Sequence, residues 1–544
     1  MGTSSTKSSA NKKRQARQSA VLQPGPLELS ERVWWIASIA IFLVAAILRI
    51  YNLNLVPLHH DEGVNGNFLV TLVRDGRYHY DPANYHGPTL YYLTAIIPWT
   101  IRLLFGQSAR ETYGLNTVVI RLVPALFSLG TIVLIFLLRR KLGTVATLSA
   151  ALFFAISPGS VYLARYYIHE TLFVFFTLGI VVAAIRFYDD RNPVYLLLAS
   201  ASAAMLFATK ETAMISAGVL ILAFASTQIY LRLLGNRTAK SENSESSFFE
   251  QMGGGTFLTI FVVIAIIVFL VVNLVFYSSF FTNYPKGVYD ALKTFEIWTK
   301  TGQAAHVHPP ETYLIWLTKQ ESPLLFLGIL GAVLVLFRPK NVFALFSAFW
   351  AFGLIAAYSL VPYKTPWLAL NFILPLALIA GYSIQRIFEL ERGQFRLPVI
   401  MLVMAVLING YQMVDLNFVN YDNDSVYYVY VYAHTKRGTQ DLVNQIDQIA
   451  KRGNEGGRTG ITIVSREYWP LPWYLRNYSR VGYFGHMTSS TEPIIIASED
   501  QKSEIESTFG AEYREVPSNE PGGAYSLRPG VSLLLYAKQP ATPR

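Results

Sequence analysis

The sequence predicts an α-helical polytopic membrane protein, with about eleven transmembrane helices plus interfacial helices, ending in a small extracytoplasmic α/β domain. Three observations carry this. Of 544 residues, 52% are hydrophobic and only 15% are charged, giving a mean hydropathy of +0.33, where soluble domains carry about 25% charged residues. The apolar residues gather into runs of spanning length, separated by short basic loops. Beyond about residue 420 the runs stop, and short β-like stretches alternate with helical ones.

Residues 1–32 are polar and basic and read as a disordered cytoplasmic tail. The run 33–50 ends in Arg49 and lacks a small-x-small cleavage site, so it reads as an uncleaved anchor. Further runs of spanning length lie near 118–138, 143–160, 170–187, 193–209, 212–232, 256–279, 320–337, 341–360, 366–385 and 397–414. The run 88–105 is short and holds Pro98 and Arg102.

Loop charge decides its placement. If 88–105 does not span, then Arg139 to Lys141, Arg186 with Arg191, Arg232 with Arg237 and Lys240, Arg338 with Lys340, and Arg386 with Arg392 and Arg396 all fall on the side of the basic tail. Cytoplasmic loops collect Lys and Arg, so the expected topology has 51–117 outside as one long loop with interfacial helices. The turn 161–169, the loop 280–319, the turn 361–365 and everything after about 415 are outside too, and 235–255 is a cytoplasmic linker. The membrane domain is 33–415, and the expected membrane is the plasma membrane.

The soluble domain, 420–544, has β-like runs at 461–464, 493–497 and 531–537 and helical patterns at 439–452 and 499–508. No nucleotide-binding glycine signature opens any of its helices. The formal charge of +10 resides in loops between apolar runs, which argues for topology and against a nucleic-acid partner. With no cysteine, chemistry here must use carboxylates, His, Lys, Arg or hydroxyls.

The densest polar cluster, His59-His60-Asp61-Glu62, follows the first span. A carboxylate there suits proton abstraction from a hydroxyl, and Asp61 equally suits the start of a helix over 63–73, where the macrodipole favours an anion. Arg165, His169 and Glu170 form a second cluster in the next outside turn, where Glu170 opens a long apolar helix and an ionisable group usually faces a polar cavity. Lys364, between Pro362 and Pro366, and Arg121, at the entry of the second span, either snorkel to lipid headgroups or bind a phosphate. All these groups share the expected outside face.

These segments resemble the GT-C glycosyltransferases of the protein O-mannosyltransferase and aminoarabinose-transferase kind. The resemblance extends to the flippase-activity-associated branch of archaeal and bacterial glycosylation clusters. The residues carrying it are HHDEGVN, HGPTLYYL (from His86), RLVPALFSLGT, SPGSVYLARYYIHE and PYKTPWLALNFILPLAL, and it covers about 1–415. It implies a GT-C fold and transfer of a sugar from a polyprenyl-phosphate donor to a glycan, lipid or protein acceptor, on the extracytoplasmic face and with inversion. It further implies that Asp61 is the base and that Glu62 positions substrate or a divalent metal. Lys364 and Arg121 would hold the donor phosphate, while His59, His60, His86, Arg165, His169 and Glu170 line the cavity. His-Gly-Pro stands where protein mannosyltransferases have His-Pro-Pro. The loop 280–319, with His306 and His308, is either a gate over that cavity or a solvated connector. The alternative from another class is a flippase or transporter for lipid-linked sugars. Transporters of this size usually show inverted repeats and mid-membrane ionisable residues, whereas here the polar groups gather at one face.

Overall fold

A computed structural model of the chain describes residues 29–82, 86–106, 114–234, 254–300, 306–391 and 396–539. The expected tail up to residue 28, residues 235–253 of the linker and 301–305 of the gating loop lie outside the described residues.

The chain opens with α1 (Glu31–Ile50), continues through two helices of the first loop, α2 (His60–Asp75) and α3 (Thr89–Phe105), and re-enters the bundle as α4 (Thr117–Phe136). Then α5 (Thr144–Ile156) and α6 (Pro158–Ala164) form a pair bent by 59°. Four helices follow: α7 (Glu170–Asp190), α8 (Val194–Phe207), α9 (Ala213–Leu233) and α10 (Gly255–Tyr277). After α11 (Lys286–Lys300) come α12 (Thr312–Gln320) and α13 (Ser322–Phe337), which meet at 114°. The bundle closes with α14 (Val342–Leu360), α15 (Leu370–Leu390) and α16 (Arg396–Val414).

Among the described residues, eight helices are long and apolar enough to cross a membrane, and up to ten if each bent pair is one span. The chain is a multi-pass membrane protein. The remaining expected run, 193–209, forms a shorter helix than its length predicts, because α8 has only 14 residues and reaches about 21 Å of a core about 30 Å thick. Its run gives out where Thr209, Lys210 and Glu211 begin. Both bends have a local cause. Pro158 and Pro323 sit in the first turn of α6 and α13; the residue before Pro158 is pushed off helical geometry, and the second break falls at Glu321, φ −136° and ψ 28°, two residues before Pro323. Ser157 is accordingly extended and caps α6 by accepting from the Ser160 N–H at 3.1 Å.

The core is centred on α15, which is buried along nearly its whole length and packs against α5, α13 and α14. Two sets of polar pairs mark the two ends of the bundle. Arg139 meets Glu31 at 2.8 Å, Lys141 meets Asp189 at 2.6 Å, and Asn341 Nδ2 donates to the Lys141 carbonyl at 2.8 Å. The other end holds Arg121 with Glu62, Lys210 with Glu170, and the segments 51–60, 165–170, 209–212 and 361–366. The C-terminal domain sits on this second end.

That domain contains α17 (Gly438–Arg452), β1 (Gly460–Ile463), α18 (Leu471–Tyr474), β2 (Arg480–Tyr483), β3 (Ile494–Ser498), α19 (Lys502–Phe509), β4 (Tyr513–Glu515), β5 (Tyr525–Arg528) and β6 (Val531–Lys538). The strand order is β2-β1-β3-β6-β4, with β5 also on β6. Strands β1, β2 and β3 run parallel and β6 pairs antiparallel with β3, β4 and β5. Leu442, Val443, Ile446 and Ala450 form the buried stripe of α17, at the spacing of one helix face.

Candidate active site

The start of α2 separates the two adjacent carboxylates. His59 is the N-cap: its Nδ1 accepts the Asp61 N–H at 3.0 Å, while Glu62 Oε2 accepts the His59 N–H at 3.0 Å. This reciprocal capping box fixes the first turn, and successive helical residues point about 100° apart. Glu62 therefore turns inward, with no exposed surface, while the Asp61 side chain remains 41% exposed.

Glu62 is fully committed. Its Oε1 accepts from Arg121 Nε at 2.7 Å and the Tyr167 N–H at 2.8 Å, and its Oε2 from Arg121 Nη2 at 2.6 Å as well as from His59. Arg121 in turn spends all five N–H groups, on Glu62 and on the carbonyls of Leu53, Val56 and Pro57. These contacts correct two expectations: Glu62 has no lone pair free for catalysis, and Arg121 has no donor free for a phosphate. The pair instead ties α4 to the first loop. A divalent metal shared by Asp61 and Glu62 does not fit either, because a carboxylate neutralised by a bidentate guanidinium is a poor cation ligand.

Arg165 likewise departs from the expected cavity-lining role. It donates to the carbonyls of Leu48, Tyr51 and Asn52, its guanidinium lies 4.8 Å from the Phe418 ring, and it holds the end of α1. His169 is buried, with Nε2 on the Gly87 carbonyl at 3.0 Å, and Glu170 is buried against Lys210. Both belong to the buried layer behind the start of α2. His86 meets Glu211 at 2.9 Å beside it. Lys210 and Glu211 escaped the sequence reading, although a counter-ion for Glu170 is what a carboxylate at a helix entry demands.

Lys364 belongs to a small antiparallel bridge between Val307 and Tyr363. Its Nζ donates to the Val361 carbonyl at 2.6 Å and the His308 carbonyl at 3.2 Å, and among the described residues it has no carboxylate within ion-pair distance. Burial pulls its ammonium below the ordinary lysine range, against Glu311. His306 Nδ1 shares a hydrogen bond with the Tyr432 hydroxyl at 2.7 Å, and His308 lies 5.5 Å from the Trp316 ring. These contacts tie the near end of the 280–319 loop to the C-terminal segment.

Tyr432, His434 and the segment 469–474 contact the start of α2 from the C-terminal domain. The Tyr432 carbonyl accepts a hydrogen bond from the His59 Nε2–H at 3.1 Å, which leaves Nδ1 as the acceptor that positions Asp61. The His59 ring is surrounded by Tyr166, Trp367 and His434, at 5.2, 6.2 and 5.5 Å. Gly63 and Gly66, one turn apart on α2, make room for the domain. A Cβ on Gly63 would lie 2.5 Å from Pro470 Cβ, and one on Gly66 would lie 2.5 Å from Trp473 Cε3. The Tyr474 hydroxyl accepts the Leu58 N–H at 2.8 Å, and Arg74 donates to Arg476 and Asn477. Nothing local in the sequence marks Tyr432, His434 or the Trp469 to Trp473 segment as neighbours of α2.

Against known proteins, the family model described as dolichyl-phosphate-mannose-protein mannosyltransferase matches residues 95–240. No curated protein sequence matches the chain. Among solved structures, ArnT from Cupriavidus metallidurans bound to undecaprenyl phosphate superposes with a TM-score of 0.62 at 13% identity, covering 95% of this chain and 100% of that one. The archaeal oligosaccharyltransferase AglB from Archaeoglobus fulgidus, in complex with an inhibitory peptide and a dolichol-phosphate, gives 0.51 at 13% identity, covering 91% of this chain and 74% of that one.

Proposed function

We propose, from the premise that this chain has the fold of the GT-C membrane glycosyltransferases, that it transfers a hexose from a polyprenyl-phosphate carrier to a hydroxyl acceptor with inversion. Asp61 carries the reading: it is the carboxylate that the fold leaves exposed, at the start of α2, beside a second carboxylate consumed by Arg121. In the step, an Asp61 oxygen takes the acceptor's hydroxyl proton and the acceptor oxygen bonds to the anomeric carbon. The bond from that carbon to the phosphate oxygen breaks, and polyprenyl phosphate leaves with the electron pair.

Attack from the face opposite the phosphate inverts the anomeric configuration. A base held in place contributes on the order of 10²–10⁴ in rate. Lys364, a cation without a carboxylate partner among the described residues, is the candidate to balance the leaving phosphate. Since Arg139 and Lys141 lie at the opposite end of the bundle from Asp61, the excess of basic loops there supports an extracytoplasmic active site, in the plasma membrane.

The test is release of polyprenyl phosphate from a panel of polyprenyl-phosphate sugars by the purified protein in nanodiscs. Acceptor-dependent release that collapses in Asp61→Asn supports the transferase. No turnover with any donor, alongside translocation of the carrier lipid in vesicles, would replace it with a transporter.

A further inference from the structure

One patch of the C-terminal domain, facing the start of α2, brings aromatic and charged side chains together at the surface. Strand β1 pairs in parallel with β2 on one side and β3 on the other, so the chain leaves β1 one way and returns past it to the other flank. The carboxyl ends of strands at such a switch are where α/β sheets bind ligands. The segment that follows β1, Ser465 to Trp469, runs from that edge to the start of α2.

Two aromatic rings lie along it, both partly exposed. Tyr468 and Trp469 are 5.9 Å apart and inclined by 33°, and Trp469 lies 6.0 Å from the His60 ring. Arg528, at the end of β5, donates Nη1 to His60 Nδ1 at 3.2 Å and pairs with Glu467, whose side chain is 52% exposed. His60 adjoins Asp61, so the patch is continuous with the proposed base.

We propose that the acceptor is a saccharide, bound over Tyr468 and Trp469 with Arg528, Glu467 and His60 taking its hydroxyls. This rests on the transferase reading, whose acceptor it names. A pyranose has a face of C–H groups, which suits the electron-rich face of an aromatic ring, and a rim of hydroxyls that each donate and accept. The Arg528–Glu467 pair meets that rim with donors and acceptors side by side. A lipid acceptor would call for an unbroken apolar surface at this point, and the guanidinium and carboxylate interrupt it. The oriented hydroxyl would then hang over Asp61, one residue from His60.

The test uses the full-length Asp61→Asn protein in detergent, so that bound ligand is not consumed. Saturation-transfer NMR is run against methyl glycosides and di- to tetrasaccharides of mannose, glucose and N-acetylglucosamine. The expectation is binding of at least one of them, weakened about tenfold or more by Glu467→Gln and by Arg528→Gln, with retention of undecaprenyl phosphate unchanged. Trp469 also touches the α2 docking surface, so Trp469→Phe is the informative change there, with the melting temperature as a check on docking. No binding by any of these saccharides, or binding that both Glu467→Gln and Arg528→Gln leave intact, overturns the inference. The two readings fail separately. Turnover of a donor onto a lipid or peptide alone would sink the saccharide and keep the transferase, whereas saccharide binding with no release of polyprenyl phosphate would do the reverse.

Discussion

Replacing Gly66 by alanine sets two known effects against each other. In an open helix the change stabilises by about 1 kcal/mol, because glycine is that much the poorer helix former. Here the new Cβ would lie 2.5 Å from Trp473 Cε3, 3.0 Å from Cζ3 and 3.2 Å from Cδ2, about 1 Å inside carbon–carbon contact distance. Trp473 cannot swing away: it is 1% exposed, and the Arg476 guanidinium lies 4.2 Å from its ring. Overpacking of this kind costs about 1–3 kcal/mol, so Gly66→Ala should be neutral to destabilising by about 2 kcal/mol. The strain falls on α2, which carries Asp61 in its first turn, and a displacement of about 1 Å there is worth on the order of 10² in turnover. Gly218, on α9 with nothing within 4 Å of its added Cβ, is the control and should gain the full helical increment. Melting temperature, hydrogen exchange over 60–75 and 469–476, and polyprenyl phosphate release read the outcome together. A Gly66→Ala protein that melts higher than wild type and turns over normally would refute the docking argument.

Other substitutions separate structure from chemistry. Glu62→Gln leaves Arg121 charged, buried and half-paired, so it should cost about 3–5 kcal/mol and show in thermal melts, whereas Asp61→Asn should leave the melt near wild type and remove turnover; a Glu62→Gln protein of native stability but without activity would reverse these roles. Lys210→Met strands the buried Glu170 carboxylate and should destabilise, with recovery in Lys210→Met/Glu170→Leu; equal melts for single and double variants would show the pair to be uncoupled. His434 is held well below the ordinary imidazole range by burial and by the nearby His59. The unfolded chain therefore takes up a proton near pH ~6.5 that the folded chain refuses, and stability, complete above that pH, should fall below it by about 1.4 kcal/mol per unit. Denaturation at pH 7.5 and 5.5, with His434→Asn flattening part of the slope, checks this, and identical slopes for the two proteins would exclude His434 as the source.

The bundle was legible because hydrophobic runs and loop charges are local properties. Spans such as α4, α7, α14 and α15 fall where their apolar runs fall. Length was misjudged at α8, because the run 193–209 continues through Ala208 and Thr209, which are apolar or small but already leave the helix to bring Lys210 to Glu170. In the soluble domain β1, β3 and β6 were visible as short β-like runs dominated by Ile, Val and Leu. By contrast β2, β4 and β5 (RVGY, YRE and YSLR) hold too few apolar residues to register, and only pairing with β1 or β6 makes them strands. At the site, Asp61 stood out by its neighbours, while the true partners of Glu62, Glu170 and His59 lie 59, 40 and 373 residues away in the chain. No window along the sequence contains them.

The acidic pair shows why residue type alone could not assign roles. Two carboxylates side by side look interchangeable, yet the capping box at His59 commits the third helical residue to the interior and leaves the second at the rim. Once Glu62 is inside, burial without a partner would be prohibitive, so Arg121 must follow it. Arg121 then draws in three carbonyls of the 53–57 segment and fixes the path by which the chain leaves α1. That path sets where His59 stands, and the Tyr432 carbonyl sets which of its nitrogens faces Asp61. The carboxylate proposed as base is therefore positioned from both ends of the chain. The soluble domain, which had no chemical signature of its own, reaches the proposed base through the Tyr432 carbonyl and the His59 ring it orients.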